Sequence, residues 1–115
     1  MIRNFLDLPL TPEAIHGGEG LCPHACVLEG SEFQTPIRFL NYTVLPPQAS
    51  FGAHRHGDDN EIYIVLEGSG VYTTDGDAQR VKAGDILVNP PFATHAIQNT
   101  GASDMRLLVL EVYNR

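Results

Sequence analysis

The chain has 115 residues, 43% hydrophobic and 18% charged, a composition that suits one folded domain with a core and excludes a disordered segment. Its formal net charge is −7, with seven Lys and Arg in all, which argues against nucleic acid or an anionic membrane as a partner. No uncharged apolar run approaches the ~20 residues of a membrane helix, and Met1 to Asp7 lacks the layout of a signal peptide, so a cytoplasmic location is expected.

In chain order, residues 1–35 read as an irregular arm, because Pro9, Pro12, Gly17, Gly18, Gly20, Pro23 and Pro36 interrupt any long element. One short helical turn is expected at Pro12 to Ile15, with Thr11 as its N-cap and Pro12 at the first helical position. Cys22, His24 and Cys26 follow at a C-x3-C spacing that is neither a thioredoxin motif nor a zinc knuckle. Three readings stand for this stretch: a loop of reduced thiols, a second metal or redox site that includes His16, or a flap over the main site.

Residues 36–115 read as a single domain of strands. Ile37 to Leu45 is rich in β-branched and aromatic residues and stops at Pro46 and Pro47. Ser50 to His56 and Glu61 to Leu66 follow on either side of a turn at Gly57 to Asn60. Val71 to Thr74 and Gln79 to Lys82 flank Asp75, Gly76 and Asp77, a hairpin signal. Asp85 to Asn89, His95 to Thr100 and Met105 to Tyr113 make at least eight strands. Many short strands with close turns indicate an all-β sandwich or barrel.

The chemistry concentrates in His54, His56, Glu61 and His95. On a strand, residues i and i+2 share a side, so His54 and His56 point together and Arg55 points away. A nearby carboxylate and one distant imidazole can close the set around one divalent ion. Three nitrogens and one oxygen suit iron, manganese, zinc, nickel or copper. The same alternation places Tyr63 and Val65 with Glu61, and Ile97 and Asn99 with His95. Tyr63 and Ile97 are therefore either pocket walls or ordinary core residues. Arg38, Asn41 and Tyr42 are weaker candidates on the strand before.

The pattern of His54, His56, Glu61 and Gly68, followed by Gly84, Pro90, His95 and Asn99, resembles the two signature motifs of the cupin superfamily. The likeness is to its small, single-domain, mannose-6-phosphate isomerase-like members. Two positions depart from the motifs: Gln48 stands where the first usually opens with Gly, and Phe92 stands at the Gly of PxG. Phe92 could narrow the mouth of a pocket there.

The resemblance implies a jelly-roll β-barrel (a double-stranded β-helix) and a divalent transition metal (Fe, Mn, Zn or Ni) on His54, His56, Glu61 and His95. It also implies a small-molecule ligand such as a sugar or carboxylate, and a homodimer, for which the apolar segment Leu107 to Tyr113 would suit pairing or burial. Two functions follow. One is a metal-dependent enzyme of isomerase, lyase or dioxygenase type, with Tyr63 as its acid/base. The other is a non-catalytic cupin that binds a small molecule or stores metal. The scarcity of basic residues weakens a sugar-phosphate ligand and leaves Arg38 as the cation to test.

Overall fold

The computed structural model describes residues 1–113, so the last two residues of the expected domain lie outside the described residues. Among those described there are ten strands, three short 3-10 turns and no α-helix. The strands are β1 (Thr11–Glu13), β2 (Cys22–Glu29), β3 (Ile37–Leu45), β4 (Ser50–Arg55), β5 (Asp59–Glu67), β6 (Ser69–Thr74), β7 (Asp77–Lys82), β8 (Ile86–Asn89), β9 (Thr94–Asn99) and β10 (Met105–Tyr113). They form a six-stranded antiparallel sheet, β1-β2-β3-β10-β5-β8, and a four-stranded one, β4-β9-β6-β7. Among the described residues no helix is long and apolar enough to cross a membrane.

The core lies between the sheets and follows the period of two. Tyr63 and Val65 on β5, Leu87 on β8, Ile97 on β9, and Met105, Leu107 and Val109 on β10 all face it. β10 is a central strand between β3 and β5, so the apolar C-terminal run is buried rather than left at an edge. The β6–β7 hairpin turns on Asp75 and Gly76, with φ of 47° and 87°, the double positive φ that a two-residue turn of matching twist requires.

The N-terminal region corrects two expectations. Thr11–Glu13 is not a helical turn but a strand paired with β2, Pro12 facing Pro23. Proline is tolerated there because β1 is the sheet edge and needs no outward N–H. The 3-10 turn forms later, at Ile15–Gly17. Nor is the cysteine stretch a loop: Cys22, His24 and Cys26 lie along β2, which pairs with β3. Phe5, Leu8 and Leu10 lie over the outer face of the larger sheet, against Val27, Tyr42 and Val44.

Candidate metal centre

Two irregularities in the ladders aim the site residues. Between β4 and β9, Phe51 pairs with Ile97 and His54 with His95. Three steps on β4 therefore match two on β9. This bulge at Gly52 and Ala53 lets both Phe51 and His54 face inward, which a regular strand would forbid. His56 follows just beyond β4, its N–H bound to the Ala93 carbonyl at 3.0 Å. Between β3 and β10, Phe39 pairs with Glu111 and Ile37 with Val112. Arg38 is the extra residue, and its side chain reaches the inner carboxylates.

His54, His56, Glu61 and His95 converge, one ligand atom from each lying within 4.8 Å of all the others. Glu61 Oε1 is 3.2 Å from His56 Nε2 and 3.5 Å from His95 Nε2. Outer partners set the tautomers. His54 Nδ1 donates to the Gly52 carbonyl at 2.9 Å, and His56 Nδ1 donates to the Asp59 carboxylate at 3.1 Å. With those protons outside, both Nε2 atoms present lone pairs to the centre. His54 Nε2 and both ring nitrogens of His95 are buried with no hydrogen-bond partner among the described residues. Burial, then the neighbouring His54, His56 and His16, push the His95 imidazole down to about 3, which keeps it neutral. His54 and His56 therefore turn lone pairs toward the enclosed Glu61 carboxylate, beside a neutral His95 whose ring nitrogens are unused. That is the wiring of a cation site, and the donor set fits a divalent transition metal.

A second group, His56, Asp59 and Glu111, is equally tight but internally satisfied. Burial, then the hydrogen bond to Asp59, push the Glu111 carboxyl up to about 8, while that bond holds Asp59 below the usual carboxylate range. Glu111 thus donates its proton to Asp59, and Arg38 Nη1 sits 3.2 Å from Glu111 and 3.8 Å from Asp59. The proton and the guanidinium balance the pair, so it needs no metal.

Tyr63 is 1% exposed in the main core, edge-on to Phe51. Burial, then the Glu61 charge to which it is hydrogen-bonded, push its phenol well above the ordinary value. It stands behind Glu61 and outside the cavity over the site, a space of about 300 Å³ that His16, Arg38, Arg55, His54, His56 and Glu61 help to line. Ile97 is a core residue. Asn99 ties backbone together rather than facing the cavity. Tyr42 lies on the outer face under Phe5, its hydroxyl accepting from Arg106. Phe92 does not narrow the mouth: it is 54% exposed, beneath the Arg55 guanidinium.

The second-site and flap readings of Cys22, His24 and Cys26 fail. Cys22 is in the core and Cys26 is exposed, both as free thiols. Four residues apart on a strand they lie ~13 Å from each other, beyond disulfide reach. His24 Nδ1 pairs with Thr43 Oγ1 at 2.7 Å. His16 belongs instead to the main site, its ring stacked on His54 at 3.5 Å between centroids.

Sequence reasoning missed His16, Asp59 and Glu111 as neighbours of the centre. A signal existed for the two acids: Glu111 continues the inward series of Leu107 and Val109, and Asp59 precedes Glu61 by two. His16 had none, since only the folded turn brings it near.

Two antiparallel sheets packed face to face, with a His₃–carboxylate cluster held between them, define a jelly-roll protein with a potential metal centre. The family model described as "Cupin domain" matches residues 41–111, and the chain belongs to the cupin family. It is similar to an oxalate-binding protein of Thermotoga maritima, 35% identical over 104 residues that cover 88% of this chain and 86% of that one. It also resembles a solved structure from Thermotoga maritima described as a predicted oxalate decarboxylase, with TM-score 0.92, 31% identity, and 99% and 100% of the two chains covered. A gentisate 1,2-dioxygenase of a Streptomyces species is 35% identical over 80 residues, which are 69% of this chain but 22% of that enzyme.

Proposed function

We propose that this cupin binds one divalent transition metal through His54, His56, Glu61 and His95, and uses it to hold a small carboxylate ligand, with oxalate as the first candidate. The observation that carries the reading is the convergence of four ligand atoms, of which His54 Nε2 and His95 Nε2 are buried without partners among the described residues. A bound divalent ion would act as a Lewis acid toward ligand oxygens.

The surroundings support an anionic ligand. Three neutral imidazoles and Glu61 leave the ion with net positive charge, and Arg38 offsets the singly ionised Asp59–Glu111 pair. The cavity of about 300 Å³ suits a small molecule. Similarity to the Thermotoga oxalate-binding protein supports the carboxylate class. In this reading Tyr63 keeps its proton and steadies Glu61, a positioning role in place of the acid/base role expected from sequence.

Elemental analysis of protein purified without chelator is the test, beside a His54→Ala/His95→Ala variant. About one equivalent of metal, lost in the variant, is expected; no metal in either, with no uptake on reconstitution, sinks the proposal. Turnover is a second reading, which the similarity to gentisate 1,2-dioxygenase favours. Metal-loaded protein that binds oxalate yet converts neither oxalate nor an aromatic diol acid would leave a binding protein.

We further propose a homodimer through the outer face of the larger sheet. Ile86 and Val88 are 63% and 60% exposed there, beside the half-buried Ile62, Ile64 and Leu110. A 12.6 kDa species in sedimentation at micromolar concentration would refute it.

A further inference from the structure

We infer that His16, from outside the metal-binding set, donates a hydrogen bond to the small carboxylate held at the centre and so helps to select it. The inference rests on the proposed function and adds a residue to it.

The N-terminal segment is built to present this one side chain. His16 adopts φ 52° and ψ 37° inside the turn Ile15–Gly17, a left-handed conformation that is strained for any residue with a Cβ. The turn is pinned on both sides. Ile15 packs against the main core, and the Ser50 N–H binds the Glu19 carbonyl at 3.0 Å. Between these anchors the backbone lies directly on β4. A Cβ on Gly18 would stand 2.1 Å from the Ser50 carbonyl oxygen, and one on Gly52 would stand 2.0 Å from the His16 carbonyl oxygen. Two glycines thus permit an approach that leaves the strained residue facing the cavity.

Its ring lies nearly parallel to His54, at 13° and 3.5 Å between centroids. It stays outside the four residues whose ligand atoms converge, and among the described residues no hydrogen bond occupies either of its ring nitrogens. An imidazole in van der Waals contact with a ligating ring, lining the same cavity and holding an unused N–H, is placed to meet what binds there. Strain kept at such a point indicates use, because glycine at position 16 would adopt the same backbone without steric strain.

The test compares wild type, His16→Gly and His16→Gln, each loaded with metal. Metal content is read by elemental analysis, oxalate and malonate affinity by calorimetry, and stability by thermal unfolding. All three proteins are expected to hold the same metal. His16→Gly should unfold no earlier than wild type, since the strain is relieved, yet bind oxalate at least about tenfold more weakly, the loss of one hydrogen bond to a charged ligand. His16→Gln, whose amide N–H reaches a similar point, should recover much of that loss.

Unchanged oxalate affinity in His16→Gly overturns the inference. So does loss of metal in that variant, which would make His16 a support of His54. Wild type that loads metal but ignores both dicarboxylates overturns this inference and leaves the metal reading standing. Wild type that takes no metal overturns both.

Discussion

Asn99 closes the second cupin motif, and the structure makes it a brace rather than a site residue. Its side chain is fully buried. Nδ2 donates to the carbonyls of Leu45 and Ser103, both at 2.8 Å, and Oδ1 accepts from the Gly101 N–H at 2.9 Å. The one amide therefore ties the end of β3 to the loop between β9 and β10. In Asn99→Ala three bonds are lost at about 1 kcal/mol each, with a further penalty for backbone groups left without partners, for a total of about 3–4 kcal/mol. A domain of this size has about 6–17 kcal/mol in total, so the variant still folds, with Tm lower by about 10–20 °C.

Asn99→Asp discriminates further. A carboxylate there would point acceptors at two carbonyl oxygens, so burial and those oxygens must raise its folded pKa. Stability is then present below the unfolded value of about 4 and is lost as pH rises through the raised one. Urea unfolding at pH 5 and pH 7 should find Asn99→Asp more stable at the lower pH, while Asn99→Ala shows no such added dependence. Both variants should keep their metal. Loss of metal with less than about 1 kcal/mol of destabilisation in Asn99→Ala would refute this reasoning and return Asn99 to the site.

Glu111→Gln keeps the donor to Asp59 at every pH, whereas Glu111, pushed up to about 8, holds its proton only below that value. The raised pKa contributes stability that is full below about pH 4 and lost as pH rises through 8. In chelator-treated protein Glu111→Gln should therefore gain on wild type by roughly 2 kcal/mol between pH 6 and pH 9 in urea titrations; a constant difference would contradict it. Burial pushes the Cys22 thiol up to about 11, and Cys26 is exposed, so a thiol reagent should titrate Cys26 alone until urea releases Cys22. Gly52→Ala must displace the His16 carbonyl, 2.0 Å from the new Cβ, and should cost about 2–4 kcal/mol; a crystal structure with the Ile15–Gly17 turn unmoved would refute that.

The strands after Pro36 were legible because alternation survives in them: Glu61, Tyr63 and Val65 face inward, as do His95, Ile97 and Asn99. The ligand quartet was legible because its residue types and spacings are unusual together. What escaped depends on irregular backbone. β1 and β2 carry Pro12 and Pro23, which read as breakers but face each other at a sheet edge. The bulges beside His54 and Arg38 leave no mark in the alternation, yet they decide which way those side chains point. Gln48 and Phe92 replace motif glycines and keep φ of 71° and 65°. The left-handed backbone is thus retained without the residue that normally advertises it.

These irregularities meet at Gly52. Its carbonyl fixes the tautomer of His54, its bulge turns His54 inward, and its missing side chain admits the His16 turn. The ligand set spans both sheets, with His54 and His95 on β4 and β9, Glu61 on β5, and His56 in the crossover between β4 and β5. A cation bound by all four would cross-link the two layers at the point where the N-terminal segment docks. Metal affinity and stability are then linked quantities, because a metal that binds only the folded arrangement stabilises it by mass action, about 2.7 kcal/mol at a hundredfold excess over Kd. Residues that supply no ligand atom, above all Gly52 and Gly18, therefore influence what the site can hold through the backbone contacts that shape it.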